Sequence, residues 1–96
     1  MIYSMAVIRV EDYGKWKDCF DSDESMAARK AAGEKSYQLS RTLDDENALV
    51  LLNKWEDEAR AREFFLSDKL KELQENSGVI STPDIYTFEE IEKGAL

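Results

Sequence analysis

Asn53 and Trp55 stand two positions apart and are the pair in this chain best suited to hold an organic ligand. Residues of one parity in an extended segment project from the same face. An indole offers a flat platform for stacking, and a carboxamide can orient a carbonyl or enolate oxygen. Tyr37, Tyr86 and Tyr3 bring hydroxyls that can donate in a cleft, while Trp16 and Phe64 can line one or fill it. Each has a plainer account. Tryptophan is heavily buried on average, so Trp55 fits equally well as a core residue where strand meets helix. Asn53 fits as a satisfied polar group near a strand end. Tyrosine commonly packs its ring and leaves its hydroxyl in water. Trp16 fits a core stripe. Catalytic residues are unknown at this level, because no pair of carboxylates stands out as acid and base.

What is missing narrows the chemistry further. There is no histidine, so the commonest general base near neutral pH and the commonest metal ligand are both absent. With no histidine and one cysteine, neither a bound metal nor haem is expected. Cys19 follows Asp18 and has no neighbouring cation to make it a reactive thiolate. The acidic runs at residues 21–24 (DSDE) and 44–47 (DDEN) lack EF-hand spacing and read as solvated turns.

The 96-residue chain is one domain with a modest core of its own. Its net charge of −8, with basic and acidic residues interleaved, disfavours nucleic acid and anionic membranes as partners. A single cysteine fits a reducing compartment. No apolar run is long enough to span a bilayer, and no charged-then-apolar leader is visible, so the cytoplasm is the expected location.

The elements that must position these residues follow from patterning. Residues 1–10 read as a strand with Tyr3, Met5 and Val7 on one face and Ile2, Ala6 and Ile8 on the other. Residues 11–32 read as helical, with Tyr13, Trp16 and Phe20 on one stripe. Continuing that stripe would bury Asp23 or Glu24. A break at Asp21-Ser22 is therefore expected, with a second piece carrying Met26, Ala27 and Ala31 inward and Gly33 closing it. Residues 35–43 alternate, with Tyr37, Leu39, Arg41 and Leu43 opposite Ser36, Gln38 and Ser40. After the acidic turn, the unbroken apolar run 48–52 predicts a strand covered on both faces. Asp57 caps a helix whose apolar face is Phe65, Leu66, Leu70 and Leu73, with a recapped piece from Ser67-Asp68 and an end at Gly78. Pro83 leads into a final strand at 85–88. The fold class is α+β, in the ferredoxin-like order β-α-β-β-α-β: an antiparallel sheet with helices on one face. Two helical regions cannot cover both faces of such a sheet, which points to a homodimer.

The run NKWEDEARAREFFLSDKL at 53–70 resembles the strand-to-helix signature of the antibiotic-biosynthesis-monooxygenase-like dimeric α+β barrels. VEDYGKWKDCFD and GVISTPDIYTFEE resemble small members labelled cyclases or stress-responsive barrels. The resemblance covers nearly the whole chain. It implies a homodimer with facing sheets and a ligand cleft between sheet and helices. Some members oxygenate quinols or polyketide aromatics without metal or flavin, and others degrade haem. This chain departs from the motif. Asn53 replaces the glutamate common two residues before the tryptophan, and Phe64 and Lys69 replace two histidines. That argues against haem degradation.

Three functions follow. The first is a small-molecule-binding barrel with weak or lost oxygenase chemistry, taking a flat, mostly apolar aromatic against Trp55. The second is a cofactor-independent monooxygenase or cyclase acting on a hydroxylated aromatic or quinol. The third is a non-catalytic structural or partner-binding dimer. They differ in whether the gap between sheet and helices is open and whether Asn53 and a tyrosine converge on it.

Overall fold

A computed structural model describes residues 2–96; Met1, expected to begin the first strand, lies outside them. The elements are β1 (Ile2–Arg9), α1 (Tyr13–Phe20), α2 (Asp23–Ala31), β2 (Glu34–Arg41), β3 (Ala48–Trp55), α3 (Glu58–Phe65), α4 (Asp68–Ser77) and β4 (Ile85–Glu89). One sheet runs β2-β3-β1-β4 with every neighbouring pair antiparallel. This is the ferredoxin-like arrangement expected from the sequence. No helix among the described residues is long and apolar enough to cross a membrane.

Both helical regions are broken by the same device. Ser22 Oγ accepts from Ser25 N–H and donates to Cys19 O. Ser67 Oγ accepts from Leu70 N–H and donates to Phe64 O. Each serine caps the new helix and satisfies a carbonyl left over from the old one. The chain thus turns away before Asp23 and Glu24 would enter the core, and both remain exposed. Asp57 caps α3 by accepting from Ala59 N–H. Gly78 closes α4 at φ 78°. The Val79 and Gly78 N–H groups reach back to Gln74 O and Glu75 O, a pairing that favours glycine at the left-handed position. Val79 then packs on the core.

The core lies between one parity of the sheet and the helices. Ile8, Leu49, Val10, Trp16 and Phe20 form its buried cluster, with Leu39 and Leu51 against it. Three expectations about facing residues are corrected. In α2 the buried residues are Ser25 and Arg29, while Met26, Ala27 and Ala31 are exposed. Leu66 caps the end of α3 at the joint with α4, where it is 87% exposed. Leu43 lies past the end of β2 and is fully exposed. The first correction matters most, because it places a guanidinium inside the protein.

Candidate functional site

Between the sheet and the helices lies a cavity of about 100 Å³. That approaches the roughly 150 Å³ at which a buried apolar cavity takes up benzene. The sheet contributes Ser4, Ala6, Leu51, Asn53 and Trp55 to its wall, and every helix contributes at least one side chain. Most of the wall is apolar or aromatic. Gln74 and Ser77 of α4 also line it, and four polar residues, Ser4, Arg29, Glu34 and Asn53, gather at one end.

That end is organised by Arg29. Its side chain and that of Glu34 are each only 7% exposed. Arg29 Nε and Nη2 both donate to Glu34 Oε2, at 2.9 and 2.6 Å. Nη1 donates to Phe20 O at 3.1 Å, where α1 ends. The guanidinium lies 3.8 Å from the centroid of the Phe20 ring and 4.9 Å from that of Tyr37. The other carboxylate oxygen, Oε1, accepts from Asn53 Nδ2 at 2.8 Å. A buried ion pair is tolerated when its remaining hydrogen-bonding capacity is filled in this way.

Glu34 reaches the cavity because of an irregularity in β2. The register between β2 and β3 slips between Glu34 and Ser36, so Glu34 pairs with Trp55 and Ser36 with Lys54. By simple alternation Glu34 would share the face of Ser36, away from the helices. The extra residue, Lys35, reverses that and turns the carboxylate inward, as a β-bulge does.

Ser4 and Asn53 are cross-strand partners at the same end. Ser4 is 2% and Asn53 6% exposed. Ser4 Oγ accepts from Trp55 Nε1 at 2.8 Å. Its own hydroxyl proton has no acceptor among the described residues, and neither does Asn53 Oδ1 have a donor.

The residues singled out from sequence divide into two groups. Asn53, Trp55, Phe64 and Trp16 all line the cavity. Trp55 does so as a wall and not as an open platform: it is 1% exposed, tied to Ser4, with Phe65 perpendicular to it and Phe64 tilted against it. Trp16 is stacked on Phe20 and buried. Tyr37 and Tyr86 do not line the cavity. Tyr37 borders a separate outer cleft together with Arg29 and Glu34, and its ring meets Phe20 edge-on. Tyr86 is opposite Met5 on the far face of the sheet and is 62% exposed. Tyr3, paired with Phe88, faces that way too. Cys19 lines the cavity with its thiol toward Leu73 O. The residues that sequence reasoning missed are Arg29, Glu34 and Ser4. An inward arginine had one visible signal: Ser25 and Arg29 stand four apart on the helix face continuing from Phe20.

No family model and no curated protein sequence matches the chain. Solved structures do. An antibiotic biosynthesis monooxygenase superposes with a TM-score of 0.69 at 12% identity, over 96% of this chain and 100% of the other. SnoaB, a cofactor-independent oxygenase from Streptomyces nogalater, gives 0.73 at 14% identity, over 96% and 94%. A protein from Caulobacter crescentus assigned to the antibiotic biosynthesis monooxygenases gives 0.68 at 19% identity, over 95% and 90%. The fold is that of the antibiotic biosynthesis monooxygenases. In this monooxygenase fold the present chain sets Asn53, Glu34 and Arg29 in a row at one end of an aromatic-walled cavity.

Proposed function

We propose that this chain binds a flat, mostly apolar small molecule in the cavity between sheet and helices, as a homodimer. The observation that carries the reading is the cavity itself: apolar walls with a few convergent polar groups at one end, the usual composition of a small-molecule site. At about 100 Å³ it is smaller than a cavity that takes up benzene, so even a single ring requires the wall to yield.

Binding is better supported than turnover of a hydroxylated aromatic. General-base catalysis needs a group free to take the substrate's proton. Both oxygens of Glu34 are occupied, and no tyrosine lines the cavity among the described residues.

The dimer reading rests on the far face of the sheet. Met5, Val7, Tyr86 and Phe88 are 37–62% exposed there, beside half-buried Val50 and Leu52. Contiguous exposed apolar surface of this kind marks an interaction site. Strand residues on this face include none of the chain's 21 acidic residues. Carboxylates stand only at its margin, where Asp84 borders Met5, Val7 and Tyr86 and Asp45 is paired with Arg9.

The test of the binding site is a titration with phenol, followed by the indole resonances of Trp16 and Trp55. Saturable shifts that are abolished by Ala6→Leu, which fills the cavity, are expected. No shift from phenol, anisole or acetophenone at millimolar concentration removes the proposal.

A further inference from the structure

The polarity of the cavity's polar end is not set by Asn53 alone. We infer that Glu34, held by Arg29, fixes the Asn53 amide so that its oxygen faces the cavity, and that the site therefore selects a ligand carrying a hydroxyl or N–H donor. The inference rests on the binding role proposed above and adds to it the chemistry of the ligand's polar group.

A carboxamide has two ends of nearly equal shape and opposite hydrogen-bonding character. Which end faces a cavity is decided by what holds the other. Here the other end meets Glu34 Oε1 at 2.8 Å. An ionised carboxylate only accepts hydrogen bonds, so the group facing it must be the amide NH2. Arg29 holds that carboxylate in place as its ion-pair partner, with two hydrogen bonds to its second oxygen. Arg29 is itself fixed by Phe20 O and by the Phe20 ring. The amide cannot turn over without setting its oxygen against a carboxylate oxygen.

Asn53 Oδ1 is left as an acceptor without a partner among the described residues, on a side chain that is 6% exposed and lines the cavity. Beside it, the Ser4 oxygen is taken by the Trp55 indole, so the Ser4 hydroxyl offers its proton. The pair presents one acceptor and one donor from directly opposed strand positions. A phenolic hydroxyl answers both. A ketone oxygen answers Ser4 and leaves Asn53 unpaired in a closed site. An aryl methyl ether does the same and adds a methyl group. Leaving a buried polar group unpaired is the strongest form of discrimination available to such a site.

Arg29 and Glu34 are thus positioning residues that act through Asn53. Glu34→Gln tests this with little change of shape. The new carboxamide can turn its oxygen to Arg29 and its nitrogen to Asn53, which obliges the Asn53 amide to flip and offer N–H to the cavity. The probes are phenol, anisole and acetophenone, titrated against the wild-type chain and followed at the two indole resonances. We expect phenol to bind about tenfold tighter than the other two in the wild type. In Glu34→Gln that preference should disappear or reverse toward acetophenone. A purely structural role for Glu34 would weaken all three probes together and leave their order unchanged, and that result overturns the inference. Asn53→Leu keeps the ion pair and should level the three probes; a phenol preference that survives it also overturns the inference. Equal binding of the three by the wild type overturns the inference and leaves the binding role standing. Binding of none overturns both.

Discussion

The two faces of the sheet are built from the same strands and have opposite fates. Toward the helices, Ser4, Ile8, Leu49, Asn53 and Trp55 are 1–7% exposed. On the other side, Met5, Val7, Tyr86 and Phe88 are 37–62% exposed. The polar residues are distributed against naive expectation. The covered face holds an ion pair, an amide and a hydroxyl, and the open face is largely apolar in the middle. Polarity alone does not tell inside from outside here. The inner polar groups are affordable because each residue is engaged by at least one other: Arg29 by Glu34, Asn53 by Glu34 and Ser4 by Trp55. The outer apolar groups have no cover from the chain's own helices.

The comparison breaks most sharply at Glu34. Glu34→Ala should cost about 3–5 kcal/mol, because it strands the Arg29 guanidinium in the interior. Urea unfolding measures the loss, and a change under 1 kcal/mol (roughly the scale of an exposed pair) would mean that Arg29 escapes to water. Next is a matched pair of aromatic substitutions. Trp55→Phe deletes the indole N–H and leaves the buried Ser4 Oγ without its donor, for about 1–3 kcal/mol. Tyr86→Phe, on the open face, should lie within about 0.5 kcal/mol of the wild type. Equal effects from the two would erase the distinction between the faces.

The open face is tested through association. Wild-type Tm should rise with protein concentration if a second copy covers that face. Val7→Lys should abolish that dependence and give the mass of one chain by light scattering. A wild-type chain that is monomeric at micromolar concentration would sink the dimer. The smallest effect belongs to the outside of the helix layer, where Lys69 of α4 pairs with Glu24 of α2. The hydrogen bond to Glu24 raises the Lys69 pKa above its ordinary 10.5. Stability from this pair is therefore fully present below pH 10.5 and fades as pH rises through the raised value. Lys69→Met should lower Tm slightly near neutral pH, and the gap should close in strongly alkaline buffer. A gap that widens there would contradict the sign.

Much of this architecture was legible in the sequence because it rests on local rules. The serine caps at Ser22 and Ser67, the glycine stop at Gly78 and the strand alternation around Asn53 and Trp55 each depend on a few neighbouring residues. The polar end of the cavity was not legible, for two distinct reasons. Arg29 is one of 34 charged residues, and its burial depends on a partner that is distant in the periodic pattern even though it is only five residues on. Glu34 is hidden by the bulge, since strict alternation assigns it to the wrong face. Tyr86 was misplaced for the converse reason. Its hydroxyl suggested a cleft, while the pairing with Met5 puts it on the other side of the sheet.

The bulge also bears on how such a cavity changes over evolutionary time. Removing Lys35 would set Glu34 directly before Ser36, still opposite Trp55, and plain alternation would then turn its carboxylate inward without a bulge. Arg29 would keep its counter-ion and Asn53 its anchor. The bulge therefore absorbs one extra residue in β2 while Glu34 holds its place opposite Trp55. A one-residue change of length, which in a regular strand flips every side chain beyond it, would here leave the chemistry of the interior unaltered.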